Sequence, residues 1–447
     1  MSKNSGFPAG LKQVAFLLLA ACLMLIPLFY NGTPLYYPDS MGYIFWGQLW
    51  QPVPERASTY AVLIRGLSLG RDLWFVILAQ ALLAAWILQR LWNRIQGQNA
   101  RMGLLVSLFL LGLLSPLGWT ASTLMPDLYC ALSSLFLYVL LFPEKDKKPS
   151  IMDLAGFVFC SAQHLSGLVI NGLLLISLMA LLVLQKQIRE AIPGIRMAMI
   201  GLFLAYGCLG AINWMLSGEF YLSKSGPAFL TARIIETGIG NRYLNQHPEA
   251  CADFQKVKKQ FPMPAEYFLW NSGSPMAALG GIKDASGKMA EFNRNVLSSP
   301  SNLLLFLKAG FKSGLKQLFQ TDLGDGLSPT TQSQLFYYPE NQAESLLSKQ
   351  NGGIAFEKLN GWCLALLAGL LLNFVLFVLP GGLRPELRQQ LIFIVLLLIL
   401  NAFVNGALST PLNRYQVRVF WLVDFWLLAA AYPAYLKHIQ IFRNRTA

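Results

Sequence analysis

An acid among aromatics, in Tyr36-Tyr37-Pro38-Asp39-Ser40-Met41-Gly42-Tyr43, follows the first long apolar run of this chain. A carboxylate within hydrogen-bond reach of an acceptor hydroxyl can take its proton as a general base. Tyr37 and Tyr43 beside it offer faces for a sugar ring, or anchors at the level of lipid headgroups. Asp39 suits equally the first turn of a helix starting near Ser40, as a cap. A second acid, Asp127, stands in Thr123-Leu124-Met125-Pro126-Asp127-Leu128-Tyr129, where proline before an acid is also an ordinary helix-start signal. The third element is Asn413-Arg414-Tyr415-Gln416-Val417-Arg418. Arginines four residues apart share a helix face and can grip a phosphate, the alternative being snorkelling to the interface. Asp424 is expected to orient one of them. His164, Arg56 and Lys224 are further candidate phosphate contacts, a satisfied structural histidine being the ordinary reading of His164. Asn171, Asn213, Asn373, Asn401 and Asn405 are expected to join helices by hydrogen bonds.

The elements that hold these residues belong to a membrane. Of 447 residues, 55% are hydrophobic and 13% charged, where soluble domains carry roughly 25% charged. Several apolar runs approach the roughly 20 residues that cross a bilayer. The net charge of +13 does not imply nucleic acid, because Lys and Arg collect in cytoplasmic loops and face anionic headgroups. Six cysteines form neither a disulfide framework nor, with histidine, the spacing of a zinc site; no cofactor is expected. Leu19-Ala20-Ala21-Cys22 imitates a lipoprotein cleavage site, but the apolar run continues beyond it, so a retained helix is expected.

Hydropathy places about ten spans, near 13–30, 73–92, 102–119, 127–143, 151–163, 166–185, 195–216, 361–380, 391–409 and 419–436. Lys3 and Lys12, Arg90, Arg94 and Arg101, and Lys145, Lys147 and Lys148 then share one side. So do Lys186, Arg189 and Arg196, Arg384 and Arg388, and Lys437, Arg443 and Arg445, which makes both termini cytoplasmic. The expected fold is an all-α polytopic membrane protein with three parts. Residues 1–216 form a catalytic module of about seven spans, whose first outer loop, 31–72, carries interfacial helices. Residues 217–360 form a small α-rich periplasmic domain, and 361–447 a C-terminal module of about three spans. Within the middle part Leu304, Leu307, Phe311, Leu315 and Leu318 recur at helical spacing beside Lys308, Lys312 and Lys316. That pattern suits a helix on the outer membrane face or an ordinary core-facing helix.

Tyr-Pro-Asp39-Ser-Met-Gly-Tyr43, the loop with Arg56, Thr59-Tyr60-Ala61-Val62-Leu63-Ile64 and Leu78-Ala79-Gln80-Ala81-Leu82-Leu83 together resemble a known pattern. It is similar to the start of the GT-C membrane glycosyltransferases, near the protein O-mannosyltransferases and lipid A aminoarabinose transferases. Pro126-Asp127 resembles the second outer acid of that pattern, and Arg414-Tyr415 a basic-aromatic pair before a late span. Ala61 departs from it, since many relatives carry proline there. The resemblance implies an inverting transfer of a monosaccharide from a polyprenyl-phosphate carrier to an envelope lipid, glycan or protein, at the outer face of the bacterial inner membrane. It makes Asp39 the base and Asp127 its support, with Arg414 and Arg418 stabilising the leaving phosphate. Tyr37, Tyr43, Tyr60 and Tyr415 are then acceptor or sugar contacts. Two rival readings share the topology: a polysaccharide polymerase or ligase using a lipid-pyrophosphate oligosaccharide, and a lipid flippase or transporter.

Overall fold

The computed structural model describes residues 9–97, 100–144, 147–327 and 332–446. Lys3 and Lys145 lie outside them, as do the side chains of Lys437, Arg443 and Arg445. Among the described residues the chain is helical, with a single parallel bridge between Leu35 and Thr123 and no strand. Five helices are long and apolar enough to cross a bilayer: Trp74–Gln96, Leu165–Leu184, Ile188–Ser217, Phe356–Gly381 and Pro385–Leu408. The other expected spans fall on Ala9–Met24, Arg101–Leu114, Asp127–Leu141, Ile151–Gln163 and the long last helix Asn413–Thr446. The chain is a helical membrane protein.

Two apolar runs, 13–30 and 102–119, are not single helices. The first breaks at Leu25 and the second at Ser115, and short helices Ile26–Asn31 and Pro116–Ala121 follow. Pro27 and Pro116 lack the N–H that would continue the preceding ladder, which favours a new start. Ser115 Oγ caps the second of these, accepting the Leu117 N–H at 3.2 Å. The expected interfacial elements of the first outer loop are Pro38–Gln48 and Ser58–Ser68, packed against each other.

The stretch 217–360 divides in two. Residues from Ala228 to Phe306 share a core of their own, in which Phe254 and Phe292 stack at 4.1 Å. Leu323, Leu327, Leu335 and Tyr338 instead belong to the main membrane core. Helix Pro300–Leu318 joins the two parts by lying along the end of Pro385–Leu408. It faces inward with Asn302, Phe306, Gly310, Gly314 and Gln317, while Leu304, Leu307, Phe311 and Leu315 are exposed. Those apolar side chains are therefore not a core-facing stripe. They look outward beside the exposed Lys308, Lys312 and Lys316, the pattern of an interfacial helix.

Glycine permits this close approach. A Cβ on Gly406 would stand 2.7 Å from the Ser313 carbonyl oxygen and 2.8 Å from the Gly314 backbone. Gly406→Val is expected to cost about 1–3 kcal/mol through overpacking. A lower unfolding midpoint of the purified protein in detergent reads this, and an unchanged one would refute the packing. Arg233 closes the joint chemically: it donates to Gly406 O at 3.1 Å, Ala407 O at 3.4 Å and Ser313 Oγ at 2.8 Å, and pairs with Glu236. The last carbonyls of a helix have no partner within it, and a guanidinium there satisfies them and suits the helix dipole.

Candidate active site

The two acids are brought together by backbone. Leu35 N donates to Ser122 O at 3.0 Å and Leu124 N to Leu35 O at 2.9 Å, tying the segment before Asp39 to the turn before Asp127. Gln80, from the second span, holds the same turn by donating to Ala121 O at 2.8 Å and Thr123 O at 3.0 Å. On the other side Gln350 clamps both backbone groups of Tyr36, at 3.0 and 2.6 Å. Tyr338 reaches Ser68 and Gln48 of the loop through its hydroxyl, at 2.8 and 2.5 Å. The segment after the small domain thus stitches the loop 31–72 in place.

Asp39 lies in the first turn of Pro38–Gln48 but does not cap it. Ser40 Oγ takes the Tyr37 N–H at 2.9 Å, which frees the Asp39 carboxylate. Its Oδ1 accepts from Arg56 Nη2 at 2.5 Å and its Oδ2 from Arg414 Nη2 at 2.6 Å. Burial opposes its charge, yet Arg414 and Arg56 outweigh burial and hold the carboxyl below its ordinary range. The guanidiniums rest on aromatic faces, Arg56 on Tyr43 at 6.0 Å and Arg414 between Tyr37 at 5.1 Å and Tyr415 at 5.2 Å. Gly326, at φ +80°, passes so close to Tyr37 that a Cβ would meet its ring at 3.1 Å.

These groups line a cavity of about 700 Å³. Asp39, Arg56, Arg414, His164, Tyr37, Tyr43 and Tyr415 all line it, so seven candidates from distant parts of the sequence meet at one cavity. The small domain adds Phe229, Leu230, Glu266, Leu269 and Trp270 to the lining, and Glu55 and Asp325 add carboxylates. No periodicity or motif marks Phe229 or Trp270 in the sequence; they reach the cavity only because the small domain folds over it.

His164 is a structural helix cap that also lines the cavity. It precedes Leu165–Leu184 and accepts the Ser166 N–H at Nδ1, at 3.2 Å, as a helix cap. Its other ring nitrogen, Nε2, lies 3.4 Å from Arg418 Nη1. Burial first, then Arg418, Arg414 and Arg56, keep that ring neutral, well below its usual range.

Asp127 and Arg418 form a second, closed pair, Arg418 Nη1 donating to Asp127 Oδ1 at 3.2 Å. Arg418 is fully buried and also meets Asn401 Oδ1 at 3.1 Å, Asn405 Oδ1 at 3.2 Å and Ser166 Oγ at 2.9 Å. A guanidinium committed to four acceptors does not grip a phosphate, which corrects the expected pairing of Arg414 with Arg418. Asn401 and Asn405 accordingly do more than join helices. Two amides four residues apart in an apolar run were the available signal for a buried polar partner.

Other expectations fall away from the cavity. The Lys224 ammonium pairs with Glu219 at 2.6 Å over the Tyr221 ring and is absent from the cavity wall. Tyr60 is fully buried, edge-on to Tyr43 at 5.2 Å and to Tyr129 at 6.0 Å, so it braces Tyr43 and is not part of the cavity lining. Asp424 orients neither arginine, and its Oδ1 bonds no described protein group. Six residues of α-helix carry it about 9 Å down and a third of a turn away from Arg418. Asn171 does join helices, to Ser133 and Ser134 at 2.8 Å each. No group of three or more metal-binding side chains occurs among the described residues. No family model, curated protein or solved structure matches this chain.

Proposed function

We propose that the chain is an inverting glycosyltransferase of the GT-C type, moving a monosaccharide from a polyprenyl-phosphate carrier to an envelope lipid, glycan or protein. One observation carries this reading: an ionised Asp39 faces a cavity of about 700 Å³ between two arginines and three tyrosines. On this reading ten helices cross the inner membrane, both termini are cytoplasmic and the cavity opens on the periplasmic side. Asp39 takes the proton of the acceptor hydroxyl as that oxygen attacks the anomeric carbon. The bond from that carbon to the carrier phosphate breaks, and its electrons pass to the phosphate oxygen. Arg56 and Arg414, already held on aromatic faces, stabilise the charge that develops there. His164 lines the same cavity as a neutral ring. Tyr37, Tyr43 and Tyr415 supply the faces against which a sugar packs.

The test is transfer by the purified protein in proteoliposomes, with labelled polyprenyl-phosphate monosaccharides and envelope extract as acceptor. A labelled glycoconjugate is expected. Turnover only of lipid-pyrophosphate oligosaccharides, or movement of labelled lipid without product, would overturn the reading. In the same assay Lys224→Ala is expected to keep activity within about twofold, because surface substitutions outside a site change energies by roughly 0.5 kcal/mol or less. A loss of tenfold or more would return Lys224 to the site.

A further inference from the structure

We infer that Asp39 is the resident occupant of an anion site formed by Arg56 and Arg414, and that a phosphate group entering the cavity displaces it. The exchange stands on geometry; only the lipid nature of the phosphate rests on the function proposed above.

The two carboxylate oxygens are divided between two different guanidiniums, at 2.5 and 2.6 Å. Two oxygens of a phosphate can bridge the same pair of donors in the same way. The arginines are held independently of Asp39. Arg56 rests on Tyr43, and Arg414 lies against both Tyr37 and Tyr415. Arg414 also keeps a buried Nε–H that bonds no described protein group, a donor whose desolvation nothing offsets until another acceptor arrives. The other cations near the cavity are committed. Arg233 is spent on helix-end carbonyls and Glu236, and Arg418 on Asp127 and two amides. Glu55 lies 3.9 Å from Arg56, too far for a close hydrogen bond, and does not compete on equal terms.

Displacement changes Asp39 as well as the ligand. Its side chain is only 17% exposed, and without the arginines the unfavourable burial of its charge is no longer compensated. A carboxylate in that position takes up a proton more readily. Phosphate entry would therefore convert an ion-paired carboxylate into a working base, and the donor would bind before the acceptor is activated.

The experiment measures binding by the full-length protein in zwitterionic nanodiscs. The probes are a polyprenyl phosphate without sugar, inorganic phosphate, and the neutral polyprenol. Asp39→Asn keeps the shape but removes the competing charge. It is expected to bind polyprenyl phosphate about tenfold tighter than the wild type, with polyprenol binding unchanged. Arg414→Gln should weaken phosphate binding by a similar factor. Equal or weaker phosphate binding by Asp39→Asn overturns the inference. Tightening for inorganic phosphate as well assigns the site to the phosphate group itself, and tightening for the lipid alone assigns it to a lipid phosphate. Because Asp39→Asn strands two arginines, Asp39→Ser and the unfolding midpoint serve as a second reading. Phosphate, but not chloride, should raise the midpoint more in either variant than in the wild type, and an equal rise overturns the inference. Tighter phosphate binding in a protein that transfers no sugar leaves the exchange standing and sinks the glycosyltransferase reading. Transfer by the wild type with unaltered phosphate affinity in Asp39→Asn does the reverse.

Discussion

Replacing Arg418 with methionine is expected to destabilise the protein by about 3–5 kcal/mol, the usual cost of removing one partner from a buried ion pair. The side chain is fully buried and donates to Asp127, Asn401, Asn405 and Ser166. Its loss leaves a buried carboxylate without a cation and takes the Arg418 donor from Asn405 Oδ1, while Asn401 Oδ1 keeps the Asn405 Nδ2 donor at 3.2 Å. Denaturant unfolding in detergent measures the loss. The double variant Arg418→Met with Asp127→Asn should recover a large part of it, because the stranded charge is then gone. A single variant that loses less than about 1 kcal/mol would show that the network does not hold the last helix against Leu165–Leu184 and Pro385–Leu408.

On the proposed glycosyltransferase function, Asp39→Asn is expected to lower kcat for sugar transfer by about 10²–10⁴, the range a general base supplies. The amide cannot accept the proton, while the cavity wall is otherwise intact. Donor KM should not rise, because removing the carboxylate leaves Arg56 and Arg414 free for phosphate. Activity retained within tenfold would remove Asp39 from the role of base. A pH dependence accompanies this site. The folded Asp39 carboxyl titrates below its ordinary value, which lies at about 3.9 in an unfolded chain. The ion pairs therefore contribute their full stability above that ordinary value, and the contribution is lost as pH falls through the lowered one. Unfolding midpoints should decline in that acid window in the wild type and more shallowly in Asp39→Asn.

Much of the architecture is a local property of the chain. Apolar runs of membrane length specify helices wherever they occur, since an unsatisfied backbone group in hydrocarbon is costly. The helices Pro38–Gln48 and Ser58–Ser68 and the start at Asp127 were legible for similar reasons, from periodicity, proline and acid positions. The candidate site residues were legible as polar exceptions in apolar surroundings, and Asp39, Arg56, His164, Arg414, Tyr37, Tyr43 and Tyr415 do line one cavity. The breaks at Leu25 and Ser115 were hidden, because hydropathy continues through them while the hydrogen-bond ladder does not.

Which acid pairs with which base was a different matter. Asp39 meets Arg414 across 375 positions of sequence, and Asp127 meets Arg418 across 291. Spacing alone put both arginines on one helix face, open to a shared phosphate. Packing separated them, because Asn401, Asn405 and Ser166 converge on one guanidinium and tyrosine rings on the other. The same holds for Phe229 and Trp270, which the small domain brings to the cavity lining, and for the outward face of Leu304, Leu307, Phe311 and Leu315. The chain by itself determined a helical membrane protein with charged and aromatic groups at its span ends, since solvation acts on each segment separately. Only the tertiary structure decided which charges stay open to a ligand and which neutralise each other, since that depends on distances between segments remote in sequence.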